Sequence, residues 1–250
     1  MGYDSCLLVL NYNGVDHLRD CLSSAIIAAE GAGDTCRVVC VDNRSTDGSV
    51  ELVRANFPTV QVVITPKNDF LFSLNDVVAE RSEDVVVVLN NDMRFSPDCV
   101  APLLQHFDDP DVFAVGAAIL NWDGSEVTVG QRCAEVRKFW FYKWWNYEKQ
   151  ETCLTLEACG GAVAYRRNMF LELGGFDDIY RPGYYEDLDL SFRAWQRGWK
   201  VLYEPKSVVF HKESATMLKR YGMNGMTQSV GSPSSEFACC HRPQYGSSKA

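Results

Sequence analysis

Residues 84–89 read Asp-Val-Val-Val-Val-Leu, a β-branched run with no polar alternation, and this stretch restricts the architecture more than any other. A strand apolar on both sides must be covered on both sides, as the central strand of a parallel sheet is. Three shorter runs precede it, Cys6–Leu10, Arg37–Val41 and Gln61–Ile64. Between them, Leu18, Leu22, Ala25, Ile26 and Ala29 share one helical face, and Val50, Val53 and Phe57 repeat the pattern over Ser49–Phe57. Strands alternating with helix-period segments predict an α/β fold over the first ~120 residues, a mostly parallel wound sheet with crossover helices on its faces.

Later punctuation fixes further elements. Ser96-Pro97-Asp98 predicts a helix start with Ser96 as N-cap, and Asp109-Pro110 its end. Val112–Leu120 is a predicted strand, and Asn121-Trp122-Asp123-Gly124 a turn into a hairpin arm. Residues 131–150 lose the pattern, with Phe139, Trp140, Phe141, Tyr142, Trp144, Trp145 and Tyr147 set among lysines and arginines. A strand over Glu157–Tyr165 follows, then a helix closed by Gly174-Gly175, a helix over Glu186–Arg197 closed by Gly198, and strand pieces to His211. The second helix is expected to bury Leu188, Phe192, Trp195 and Trp199. Residues 221–250, rich in Gly, Ser, Asn and Gln, read as a loose tail.

With 250 residues and 46% hydrophobic content the chain can bury a core as one large domain or as two intimately joined halves. A net charge of -9 lacks the footprint that nucleic-acid binding demands. None of the 10 cysteines has the spacing of a structural zinc site, and they read as reduced core thiols in a cytoplasmic protein. No apolar run approaches the ~20 residues of a membrane span, so the chain reads as soluble.

In wound sheets, ligands bind beyond the carboxyl ends of the strands. Polar clusters stand there after three of them: Asn11-Tyr12-Asn13-Gly14, Asp42-Asn43-Arg44-Ser45-Thr46-Asp47-Gly48 and Asn90-Asn91-Asp92. Each alone could be only a turn; together they suggest one ligand-binding rim. A Gly-rich phosphate loop is absent, so a diphosphate would have to be met by a metal, with Asp92 the evident oxygen ligand. A second cluster, Tyr184-Tyr185-Glu186-Asp187-Leu188-Asp189, opens the last helix. Its acids are either helix-dipole partners or carboxylates tuned toward general-base work. His211 is either a packed histidine or a metal ligand.

The chain resembles the family 2 glycosyltransferases of GT-A fold, and within them the rhamnosyltransferase-like members. Over residues 5–215, four blocks carry the resemblance in order: Val9–Gly14; Val41–Ser49; Leu89–Asp92 with Ser96-Pro97-Asp98; and Gly174–Asp177 leading to Tyr185–Leu190 and Arg193. The resemblance implies an inverting transfer of sugar from a nucleotide-diphospho-sugar, dTDP-rhamnose or a UDP-hexose, to a saccharide or lipid-linked acceptor. It implies Mg²⁺ or Mn²⁺ held by Asp92, with His211 nearby, Asp187 as base and Glu186 positioning the acceptor or the base. Asn11, Tyr12, Asn13, Asp42, Asn43, Asn68, Asn91, Gly160 and Gly161 would line the donor. Residues 1–120 would form the nucleotide-sugar half of the domain, and 121–220 the acceptor half, a smaller antiparallel extension included.

Two positions depart from the family pattern. Asn68-Asp69-Phe70-Leu71-Phe72-Ser73-Leu74-Asn75 carries bulky residues where relatives are glycine-rich. Position 90 is Asn rather than Asp, so a metal would be held mainly through the nucleotide's phosphates. The aromatic stretch over 138–149 has three readings: sugar stacking, peripheral contact with the inner face of the cell membrane, or an irregular core element. Rival functions are a nucleotidyltransferase, which would want a Lys/Arg-bearing Gly-rich loop, and a non-catalytic carbohydrate-binding or nucleotide-sugar-binding domain.

Overall fold

A computed structural model describes residues 3–137 and 140–212, with side chains given outside 136–144. The tail expected over 221–250 lies outside the described residues. In chain order the elements are β1 (Ser5–Asn11), α1 (Val15–Ala32), β2 (Cys36–Asp42), α2 (Ser49–Asn56), β3 (Gln61–Ile64), α3 (Ser73–Ala79), β4 (Val85–Asn90) and β5 (Met93–Phe95). There follow α4 (Val100–Leu104), β6 (Val112–Asn121), β7 (Val127–Val129), β8 (Gln131–Arg137), β9 (Trp140–Tyr147), β10 (Cys153–Leu154), β11 (Ala162–Arg166), α5 (Arg167–Glu172), α6 (Glu186–Gln196) and β12 (Lys200–His211).

The main sheet runs β10-β12-β6-β11-β4-β1-β2-β3, with β5 added to β12 and β7 to β6. β1 pairs in parallel with β2 and β4, β2 with β3, and β6 with β12, while β11 is reversed between β4 and β6. Alternating residues of each central strand feed two cores. On one face Leu7, Val9 and Val87 pack with Leu18, Leu22 and Ala25 of α1 and Val100 and Leu103 of α4. On the other, Leu8, Val86 and Val88 pack with Leu74 and Val78 of α3, Phe170 of α5 and Leu190 of α6. The unalternated run at 85–89 is therefore the strand buried from both sides, as its sequence requires.

Four local expectations are corrected. The helix after Ser96 begins only at Val100, because Cys99 N–H closes a turn onto the Ser96 carbonyl and the Ser96 hydroxyl bonds the Val208 carbonyl instead of capping. Residues 157–161 are not strand: Ala158 and Gly160 N–H groups donate to the side chains of Ser191 and Asp187 rather than to a ladder, and β11 starts at Ala162. Phe192 is exposed, since α6 turns Leu188, Leu190, Ser191 and Ala194 inward. Gln131–Arg137 and Trp140–Tyr147 form an antiparallel pair, β8 with β9, rather than an irregular element. Among the described cysteines all are free; Cys6, Cys21, Cys40 and Cys99 are buried, and the other four only partly so.

β12 carries a register shift between Glu204 and Val208, and this irregularity is held by one buried carboxylate. Glu204 Oε2 lies 2.6 Å from His106 Nε2 and 2.6 Å from the Thr152 hydroxyl, and its Oε1 accepts the Lys206 N–H. Burial alone would raise this carboxyl; the Thr152, His106 and Lys206 bonds outweigh it and hold it below its ordinary value. Its contribution is complete above the ordinary glutamate value of about 4.3 and is lost as pH falls through the lower folded value. Glu204→Gln is expected to cost about 1–3 kcal/mol at neutral pH. It should flatten the acid side of the stability curve, measured as the urea midpoint from pH 3 to 7.

Candidate active site

The parallel register sets Asn11 directly opposite Asp42, and Leu10 opposite Asn90, so the carboxyl ends of β1, β2 and β4 finish together. Their polar residues form one network. Asn91 Nδ2 donates to Asn11 Oδ1 at 2.6 Å, and Asn11 Nδ2 donates to Asp42 Oδ2 at 2.8 Å and to the Ser45 hydroxyl at 3.1 Å. Ser45 N–H donates to Asp42 Oδ1. Asn13, at φ 49°, accepts from Thr46 N–H and donates its own N–H to Ser45. Tyr12 is half-buried beside them. Asp42 is fully buried, so in this arrangement its carboxylate holds Asn11 and the 43–48 loop rather than facing solvent. Gly14 is required here, because a Cβ would fall on the Asn91 amide.

The loop after β3 joins through Asn43, whose side chain donates to the Phe70 carbonyl and accepts from Thr65. Asn68 accepts the Phe70 N–H, which helps set Phe70 at φ 54°. Thr65 was not singled out from the sequence, and Ser45 and Asp47 entered only as members of the polar cluster after β2. Asp47, accepting from Val15 and Ser49 N–H, braces the starts of α1 and α2; the only signal was its Asp-Gly-Ser setting.

Pairing of β12 with β5 carries His211 to Asp92, 119 positions earlier in the chain. His211 Nε2 is 3.4 Å from Asp92 Oδ2, and the Asp92 carbonyl accepts the Lys212 N–H. Asp92 Oδ1 is buried with no hydrogen-bond partner. A carboxylate oxygen left so, beside an imidazole, fits a hard divalent cation. Among the described residues no three His, Cys, Asp or Glu converge on one point, so such an ion would take its other ligands from phosphate and water.

The third group stands at the start of α6. Asp187 Oδ2 accepts the Gly160 N–H at 3.1 Å and Oδ1 its neighbour Leu188 N–H at 2.8 Å, which fixes both oxygens. Gly161 connects this group to the metal side: its carbonyl accepts the Asn90 N–H, and a Cβ on it would meet Met93 Cε at 2.7 Å. Glu186 Oε2 is buried and unpartnered. Glu157, missed in the sequence because it was assigned to a strand, adds a third carboxyl, 3.6 Å from Arg132 of β8.

Burial first, and the Asp187 charge second, push both Glu157 and Glu186 up to about 7; Arg132 pulls Glu157 partly back. For carboxyls raised in this way, the bound proton favours the folded state below the ordinary value of about 4.3, and that advantage disappears as pH rises through about 7. Glu186→Gln is therefore expected to raise the thermal midpoint relative to the parent protein at pH 8 and to leave it unchanged at pH 4. Paired thermal melts at the two pH values check this.

Comparison with known proteins bears on the family and the fold. The family model for glycosyl transferase family 2 matches residues 6–174. The chain is 28% identical over 236 residues to an N-acetylglucosaminyl-diphospho-decaprenol L-rhamnosyltransferase of Mycobacterium tuberculosis, covering 83% of this chain and 76% of that protein. It is 26% identical over 185 residues to an O-antigen chain rhamnosyltransferase of Salmonella anatum, covering 72% and 58%. Among solved structures, GalNAc-T7 with UDP, GalNAc and Mn²⁺ superposes with a TM-score of 0.66 at 19% identity, over 84% of this chain and 44% of that one. The mannosyltransferase PcManGT of Pyrobaculum calidifontis, with GDP-Man and Mn²⁺, gives 0.65 at 19% identity, over 87% and 59%. The chain thus spans about half the length of these two structures, and the likeness establishes the GT-A fold. On the family match, over more than half its length, this chain belongs to glycosyl transferase family 2.

Proposed function

We propose that the protein is an inverting glycosyltransferase that moves a sugar from a nucleotide-diphospho-sugar, dTDP-rhamnose foremost and a UDP-hexose second, to a hydroxyl of a saccharide or lipid-linked acceptor. The observation that carries the reading is the juxtaposition at the end of β4: the unpartnered Asp92 oxygen beside His211, joined through Gly161 to an Asp187 fixed at both oxygens. The names of the two curated relatives support rhamnose and, for one of them, a polyprenyl diphosphate acceptor.

In this reading residues 1–120 form the donor half, with Asn11, Tyr12, Asn13, Asn43, Asn68 and Asn91 toward the nucleotide sugar and Asp42 setting Asn11, while Gly160 and Gly161 reach the donor sugar from the second half. Residues 121–220 form the acceptor half. Asp92 and His211 would hold Mg²⁺ or Mn²⁺, which when bound offsets the charge of the departing diphosphate. Asp187 takes the proton of the acceptor hydroxyl, whose oxygen forms the bond to the anomeric carbon as the bond to the diphosphate oxygen breaks with its electron pair. One displacement inverts the anomeric centre. Gly160 and Leu188 N–H groups keep the Asp187 oxygens aimed while the proton moves. Among the described residues no helix is long and apolar enough to cross a membrane. We place the protein in the cytoplasm, where a lipid-linked acceptor would be met at the inner face of the membrane.

Asp187→Asn should lower transfer by about 10²–10⁴-fold while sparing donor binding. Retained transfer would reject Asp187 as base. Binding of dTDP-rhamnose should raise the thermal midpoint only with Mn²⁺ or Mg²⁺ present, by about 2.7 kcal/mol of added stability at a hundredfold excess over Kd. Asp92→Ala should abolish that metal-dependent rise. A rise independent of metal would reject the Asp92 assignment.

A further inference from the structure

Tyr184 and Tyr185, the two residues before Glu186, both have left-handed backbone, with φ of 76° and 72°. A side chain with a Cβ is disfavoured there and glycine is not. The chain has a glycine at 183 yet places two aromatic residues in the strained positions that follow. Strained residues of this sort persist where the surrounding structure enforces them, and they concentrate at ligand clamps.

Core packing does not explain the choice, because Tyr184 is 52% exposed and Tyr185 39%. The segment is nonetheless fastened on both sides. Arg181 pairs with Asp69 in the loop after β3 and with Asp178, and its guanidinium lies 4.6 Å from the centre of the Phe72 ring. The Tyr185 carbonyl accepts the Asp189 N–H and so begins α6. The two aromatic residues thus stand on a braced support between the β3 loop and the Asp187 carboxylate.

Tyr184 and Tyr185 precede Asp187 by three and two positions, a chain span of at most about 10 Å, which is within reach of a saccharide whose hydroxyl meets Asp187. A pyranose ring has a face of C–H groups and a rim of hydroxyls, and tyrosine supplies a rigid amphipathic surface at low entropic cost. We propose that Tyr184, with Tyr185 next to it, is the stacking platform for the saccharide ring of the acceptor. The proposal rests on the reading of Asp187 as base. It explains why large side chains are kept in backbone positions that suit glycine.

The test uses Tyr184→Gly and Tyr184→Phe in the full chain, with dTDP-rhamnose as donor and a short-chain N-acetylglucosaminyl-diphospho-prenol as acceptor. Tyr184→Gly relieves the backbone, so its thermal midpoint should equal or exceed that of the parent. In the transfer reaction its acceptor KM should rise about tenfold against an unshifted donor KM. Tyr184→Phe should restore the parent KM. An unchanged acceptor KM in Tyr184→Gly overturns the platform. So does a parallel rise in donor KM, which would put the ring against the donor instead. Failure of the base reading shows separately, as transfer that survives Asp187→Asn.

Discussion

The site depends on a buried chain of hydrogen bonds, Asn91 to Asn11 to Asp42, that ties the carboxyl ends of three parallel strands into one rim. The parallel ladder brings these ends level, and the side chains then link them across the strands. Asp42 sits at the closed end of this chain, fully buried, with its two oxygens taken by Asn11 and the Ser45 N–H. The polar rim therefore has few alternatives: an unpaired amide or carboxylate at this depth would be costly. That rigidity fixes the starting point from which Asp92 projects.

The reversed strand β11 supplies the second constraint. By inserting antiparallel between β4 and β6, it brings the Gly160-Gly161 turn to the same end of the sheet as Asn91 and Asp92. Small residues are needed there because Met93 and Asn90 fill the space a side chain would take at 161. The turn then uses its Gly160 N–H to orient Asp187, so a backbone group of one half of the sheet aims a carboxylate from α6. Charge and burial complete the arrangement. Burial first, and the Asp187 charge second, raise Glu157 and Glu186 to about 7, against the opposing pull of Arg132 on Glu157.

The same economy of support is visible away from the site. Glu204 gathers His106, Thr152 and the Lys206 N–H where β12 shifts register, and beyond that shift β12 reaches β5 and delivers His211 to Asp92. A structural carboxylate with its value lowered and a pair of site carboxyls with theirs raised differ in partners and in neighbouring charge: the first has donors on both oxygens, whereas Glu186 has a buried oxygen with none and stands beside the Asp187 carboxylate.

The sequence by itself determined the elements whose signal is local. The apolar run at 85–89, the helical faces of α1 and α2, and the Asn, Asp and Gly clusters after β1, β2 and β4 were all legible because burial and turn chemistry act within a few residues. The ordered motif blocks also carried the family. Tertiary structure alone decided what depends on distant partners. Glu157–Gly161 looks like strand but hydrogen-bonds to α6 side chains, and Ser96 looks like a cap but bonds across to β12. The turn of Asp42 inward, the meeting of His211 with Asp92, and the addition of Glu157 and Arg132 to the carboxylate group arise from strand register and β12 pairing. No local pattern encodes these, because the free energy of each contact lies between segments tens of residues apart.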